Sequence, residues 1–368
     1  MTHRERILSV LEHRAPDRVP WCADLDYFTT GKIARGELPA DFRSRTEYID
    51  WHEELGCGFY LQGFFPFRAE TDGIVVHEGR SDSGERFRRI ETPEGEIEER
   101  HRYLPTSYSE APVEHLLGGP EDLAAYRFVV ENTRYEPDYD WAQTRATQIG
   151  ERGVLLVYTP RTPFMHLLAV DAGLESIMSI IVEAPQDFDE LISAMRSSTN
   201  PAARYAAESP ADVVMIPENL SAEMVGPAFF ERYLREPQTA WSEAIQENGK
   251  FSCIHMDGTL RGLLREECSV GLSFIDACTP APVGDVPVEE WPKFIRGTDT
   301  VLWGGIPGGY FTESVTDEEF DRHVRAVLRV MTSEPRYVLG VADQVPPDGL
   351  ERRIRRVAEL VERFGRYE

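Results

Sequence analysis

The feature that most constrains this chain is a rhythm rather than a motif. A short apolar run, a polar turn and an amphipathic stretch follow one another again and again. The apolar runs are VPWCADL (19–25), GFYLQ (58–62), VLLVY (154–158), DVVMIPE (212–218), FSCIH (251–255), LSFIDA (272–277), VLWGG (301–305) and YVLGV (337–341). Near-continuous apolar strands separated by helices are the mark of a parallel sheet covered on its faces. Eight such units predict an α/β protein, a (β/α)8 TIM barrel built as one domain over residues 1–368. The intervening segments carry helix signals. Pro227 opens a stretch that stops at Asn248-Gly249, and Thr316-Asp317-Glu318-Glu319 reads as a capping box. Leu350, Ile354, Val357, Leu360, Val361 and Phe364 form one apolar stripe on the last helix. Only residues 73–104 break the rhythm, alternating apolar and charged residues around Ser-Gly and Glu-Gly turns. This predicts an inserted antiparallel β meander, serving as a lid or as the contact of a homodimer.

Charge narrows the partners. With 64 acidic and 39 basic side chains in 368 residues the formal net charge is −25, which repels nucleic acid and anionic lipid alike. The first twenty residues hold no apolar signal core, and no run approaches the roughly 18 apolar residues of a membrane span. The expectation is a cytoplasmic protein acting on a small molecule. The five widely spaced cysteines fit reduced thiols, and the absence of any CxxC pair excludes a zinc ribbon.

In a barrel the chemistry gathers where strands end. Glu218 and Asn219 follow the fourth run, His255 and Asp257 the fifth, Asp276 the sixth, and Asp343 and Gln344 the eighth. Tyr158 ends the third, with Arg161 just beyond it. His255, Asp257, Glu218, Asp343 and Asp276 are therefore the candidate catalytic groups. Asn219, Arg161, Gln344 and Tyr158 are the candidate substrate contacts. His255 and Asp257, two apart on an extended backbone, point the same way. With Glu218 they supply an N/O/O set for a divalent metal, most naturally zinc with one position left open. The competing reading is an aspartate that only orients a histidine. His52 and His166 sit in helical patterns and read as structural, and Cys253 has nothing to mark it as a nucleophile.

The opening RERILSVLEHRAPDRVP, together with PENLSAEMVGPAFFERYL, GKFSCIHMDGTLRGLL, IDACTPAPVGDV, VLWGGIP and LGVADQVPPDGLE, resembles the uroporphyrinogen decarboxylase superfamily. That group includes the methylcobamide:coenzyme M methyltransferases and related corrinoid methyltransferases. The resemblance spans nearly the whole chain and implies a barrel with its pocket at the carboxyl ends of the strands. The chain departs from the decarboxylases, whose arginine-rich segment after the first strand is here VPWCADLDYFTTGK. It departs from the coenzyme M enzymes too. His255 matches their zinc-binding histidine, but Asp257 replaces the neighbouring cysteine and Val341 lies near the later one. Oxygen ligands make a harder Lewis acid, suited to an ether, alcohol or amine rather than a thiolate. The resemblance thus implies a methyltransferase with a metal centre, exchanging a methyl group with a corrinoid (cobalamin) carried by a partner protein. A cofactor-free decarboxylase is the alternative, with Asp276 or Asp343 stabilising a protonated intermediate and Arg161 or Arg261 holding the acid. A non-catalytic barrel that binds a small ligand is the third.

Overall fold

The computed structural model describes residues 1–60 and 63–367. They form two compact bodies. The first comprises residues 1–64, 139–158 and 207–368, and the second residues 65–138 and 159–206.

The first body is built on a wholly parallel sheet of seven strands: β1 (Trp21–Cys22), β2 (Leu156–Tyr158), β3 (Val213–Ile216), β4 (Phe251–His255), β5 (Phe274–Cys278), β6 (Val301–Pro307) and β7 (Tyr337–Ala342). Their spatial order is β1-β7-β6-β5-β4-β3-β2. The segment expected as an eighth strand, 58–62, makes single parallel bridges instead, Gly58 to Cys22 and Phe59 to Gly153. Its last two residues, Leu61 and Gln62, lie outside the described residues.

Strand side chains alternate, so every second residue faces the same way. Val213 and Met215 of β3, Cys253 of β4, Phe274 of β5, Val301 and Trp303 of β6 and Val338 of β7 share one buried cluster. Ile7, Val10 and Leu11 of the first helix, His3–Leu11, join the same cluster. A residue two places beyond an inward-facing one also faces inward, nearer the carboxyl end of the sheet. That single rule places most of the site. The capping box at Thr316 is present and opens the helix Asp317–Met331. Ile354, Val357, Leu360 and Val361 are the buried stripe of the helix Glu351–Phe364, while Phe364 itself is exposed. All five cysteines are buried and free. Among the described residues no helix is long and apolar enough to cross a membrane.

The second body contains the inserted meander, larger than residues 73–104. Its four antiparallel strands run in order as Val75–Arg80, Arg86–Thr92, Gly95–Leu104 and Ser109–Glu114. A separate antiparallel pair joins Phe67–Thr71 to Thr133–Pro137. Cross-strand ion pairs such as Arg89–Glu98 explain why charged residues recur through the meander.

His52, in the helix Thr46–Glu54, is only 3% exposed and donates Nδ1–H to the Tyr48 carbonyl at 2.7 Å. Burial drives its imidazole pKa down to about 4, against the partial compensation of that hydrogen bond. The unfolded chain, titrating near 6.5, therefore takes up the proton first. Stability is full above about pH 6.5 and falls as pH drops towards 4, by ~1.4 kcal/mol for each pH unit between the two values. Urea titrations at pH 5 and 7.5 should show this loss in the wild type. In His52→Gln, which keeps a donor for the carbonyl, the dependence should shrink by about one proton.

Candidate active site

Cys253 faces the core, so His255, two residues on, faces the same side at the end of β4. Its register partner on β5 is Asp276, directly opposite. The two are joined by a hydrogen bond of 3.1 Å from His255 Nδ1 to Asp276 Oδ2. Asp276 is 1% exposed and His255 8%. A carboxylate only accepts, so the proton resides on Nδ1 and Nε2 is turned the other way. There it meets Asp343 Oδ1 at 3.6 Å and Asp257 Oδ2 at 4.0 Å. One ligand atom from each of His255, Asp257 and Asp343 lies within 4.8 Å of the other two.

Electrostatics follow from that ring. Burial on its own pushes the His255 imidazole down, but the hydrogen bonds to Asp276 and Asp343 and their charges outweigh it and lift its pKa well above the ordinary value. Asp257 is raised by burial, with His255 pulling the other way and Asp343 reinforcing the rise. Asp24, just past β1, adds a further buried carboxyl. Burial first, then the neighbouring Asp26, Asp343 and Asp276, push it well above the carboxylate range, against the hydrogen bond it accepts from the Asp26 N–H. Gln344 Nε2 donates to Asp24 Oδ2 at 3.1 Å, which ties the loop after β7 to the loop after β1. Tyr60 and Tyr158 both feel Asp276 and Asp24, and burial is the main cause that lifts each phenol well above its usual value. Tyr60 Oη and Asp276 Oδ1 are buried without a hydrogen-bond partner among the described residues. Groups of that kind are rare in folded proteins and mark places that receive a ligand or water.

The backbone is shaped for the same purpose. Asn219, Ala277 and Asp343, each at or just beyond the end of a sheet strand, adopt φ values of +54°, +63° and +72°. Left-handed backbone is costly for a side-chain-bearing residue and clusters at functional sites. In Asp343 it breaks the strand's alternation and swings the carboxylate towards His255.

Residues 153–364 match the uroporphyrinogen decarboxylase (URO-D) family. The chain belongs to that family. A methyltransferase from Methanosarcina mazei shares its fold across 99% of both chains, with a TM-score of 0.66 and 13% sequence identity. A mandelate racemase/muconate lactonizing enzyme from Sulfitobacter sp. overlaps 81% of this chain and 77% of its own, but at a TM-score of 0.31 and 13% identity it carries no weight. No curated protein sequence matches.

Within this family member the sequence-predicted residues divide clearly. His255, Asp257, Asp276 and Asp343 come together, and Gln344 and Tyr158 belong to the same electrostatic neighbourhood through Asp24. Glu218 does not join the metal-competent group. It lies past the end of β3 at Ile216, in a tight turn whose Glu218 N–H donates back to the Ile216 carbonyl at 2.9 Å. Fully buried there, it raises the pKa of Glu267, whose own burial is the larger cause. Asn219 is exposed beside it. Arg161 belongs to the second body, and Arg261 is spent at the surface on Glu290 and on the Asp285 carbonyl. Asp24 and Tyr60 are the residues that sequence reasoning missed. A signal for Asp24 existed, since it stands at the end of an apolar run in the same way as Asp276.

The loops after β3 and β4 approach too closely for any side chain at Gly258. A Cβ there would lie 2.3 Å from both Cβ and Oγ of Ser221. Gly258→Ala should cost roughly 1–3 kcal/mol in denaturant unfolding. Adding Ser221→Gly should recover most of it, a coupling that a double-mutant cycle measures.

Proposed function

We propose that this chain is a methyltransferase that activates a small substrate at a divalent metal, zinc by the nature of the donors, held by His255, Asp257 and Asp343. The observation that carries the reading is the arrangement around His255. A carboxylate behind Nδ1 keeps a proton there and turns Nε2 towards the two other oxygen donors, where a metal ion would take the place of the second proton, the usual support for a metal-binding imidazole. One nitrogen and two carboxylates leave a tetrahedral ion one open position, and together with buried Asp276 they supply the negative charge that a dication needs. Glu218, the third ligand expected from sequence, gives way to Asp343. When bound, such an ion supplies Lewis acidity to a substrate heteroatom, and oxygen ligands favour an ether, alcohol or amine over a thiolate.

The chain's own residues do the rest. Asp276 holds the imidazole in place and keeps its Nδ1 protonated. Tyr60, Tyr158 and Asp24 line the polar side on which a small substrate is oriented, and Asp276 Oδ1 and Tyr60 Oη offer it an acceptor and a donor. The methyl group moves to or from a corrinoid carried by a partner protein, so no residue of this chain is assigned to hold the corrinoid. The sheet with its 58–59 bridges is read as a (β/α)8 barrel closed by that segment. A decarboxylase acting on a polycarboxylate suits the site less well, because the groups that converge on it are aspartates.

Elemental analysis of the purified protein tests the proposal. About one zinc per chain is expected, lost in His255→Ala and in Asp343→Ala, and retained in Glu218→Gln. Asp276→Asn should weaken metal affinity ~10–100-fold through the imidazole it no longer orients. With methylcobalamin as donor, the metal-loaded protein should demethylate it in the presence of a small alcohol or amine acceptor. Full zinc content in His255→Ala would overturn the assignment.

A further inference from the structure

The second body contains a histidine–carboxylate pair of its own, made by a different device. His166 ends the short helix Pro163–His166, and Asp171 ends the π-helical turn Leu167–Asp171 that follows. In an α-helix five residues cover about 1.4 turns, which would set positions 166 and 171 on different faces. The wider turn is closed by a 2.8 Å hydrogen bond from the Ala172 N–H to the Leu167 carbonyl and brings them to one side. His166 Nε2 lies 2.9 Å from Asp171 Oδ2, and Tyr126 Oη donates to the same oxygen at 2.5 Å. Burial raises the Asp171 carboxyl, but His166 and Tyr126 outweigh it and hold the group below the ordinary range, so it acts as an acceptor. A carboxylate only accepts, so Nε2 of His166 carries a proton, and in the neutral imidazole Nδ1 is left as an acceptor. Its Nδ1 makes no hydrogen bond among the described residues, on a side chain still 38% exposed.

This pair opens into a cavity of about 480 Å³ that lies wholly within the second body. More than half of the lining is apolar, with Phe67, Ile90, Tyr126, Val129, Tyr135 and Met195 among it, and the hydroxyls of Thr71, Thr133, Ser198 and Thr199 on the wall bond within the body. That volume and lining are ordinary for a small-molecule site. The charged groups on the wall balance, Arg88 and Arg161 against Glu99 and Asp171, so the cavity does not demand an ion. What it presents unmet is an acceptor, the Nδ1 lone pair, beside flat apolar surface. We infer that the cavity is a second ligand site, taking a planar apolar molecule with one hydroxyl group that donates to His166 Nδ1. The inference is independent of the metal-site reading.

Equilibrium binding of 2-naphthol, followed by its fluorescence, is the test, with 2-methylnaphthalene as the same body lacking the donor. The wild type should prefer the naphthol by about 10-fold, the worth of one neutral hydrogen bond. His166→Phe should bring the two affinities within about 2-fold, and Val129→Trp, which fills the cavity, should weaken both by at least about 10-fold. A ¹⁵N-histidine spectrum of the wild type removes any dependence on how the variants fold: the His166 Nδ1 resonance should shift with naphthol and not with methylnaphthalene. Equal affinities in the wild type, a preference that survives His166→Phe, binding indifferent to Val129→Trp, or an unmoved Nδ1 resonance would each overturn the inference.

Discussion

The hydrogen bond between His255 and Asp276 is the constraint on which the site depends. It spans two adjacent parallel strands at directly opposed positions, so the sheet's register sets its length before any loop is considered. Both partners are buried. A buried imidazole facing a buried carboxylate is tolerable only while each satisfies the other. Removing one partner of such a pair typically costs about 3–5 kcal/mol, because the other is left uncompensated. The fold therefore cannot relax this pair without disturbing its core. What the pair orients, the outward Nε2, is correspondingly well fixed against Asp257 and Asp343.

Around that fixed point the protein concentrates negative charge. Asp257, Asp276 and Asp343 face a single imidazole, Asp24 lies near enough to feel Asp276 and Asp343, and the raised pKa values of Asp24 and Asp257 record burial together with like charges placed close to one another. A cation relieves that repulsion, and an anionic substrate aggravates it. The same balance runs through the whole chain, whose net charge is −25. Family membership alone leaves several chemistries open, since one fold accommodates many and the site decides among them. Here the charge at the site favours a bound cation and a neutral or basic substrate over a polyacid.

How far the sequence reveals this follows from which facts are local. Seven of the eight strand positions, the Thr316 capping box and most of the apolar stripe of the last helix are properties of neighbouring residues, and the structure shows them where periodicity and capping rules place them. His255, Asp257 and Asp276 were legible for the same reason, since each follows an apolar run. Glu218 also follows one, but it lies beyond the strand's end, where a turn back onto the Ile216 carbonyl decides where its side chain goes. The seven residues DVVMIPE do not reveal that turn. Asp343 was legible as well, since it follows the last apolar run, although the left-handed turn that brings it to His255 is displayed only by the folded backbone. The meander was recognised but undersized, because its outer strands, with exposed Val75 and Val113, lack a clean buried face to mark their limits.

The two histidine–aspartate pairs bring out a general point about what sequence spacing can encode. His255 and Asp276 lie 21 residues apart and meet through strand register, whereas His166 and Asp171 lie five apart and meet through a π-turn. Neither spacing belongs to a standard helical or strand pattern. Standard periodicities describe elements that are satisfied by their own hydrogen bonding, and a reactive pair needs something more, an unoccupied nitrogen facing accessible space. Producing it requires a departure from regularity, a strand end in one case and a widened helical turn in the other. Such departures are costly to a fold and persist where the surrounding structure over-determines them. For that reason they are places in this chain where an imidazole can keep a nitrogen turned away from its carboxylate partner.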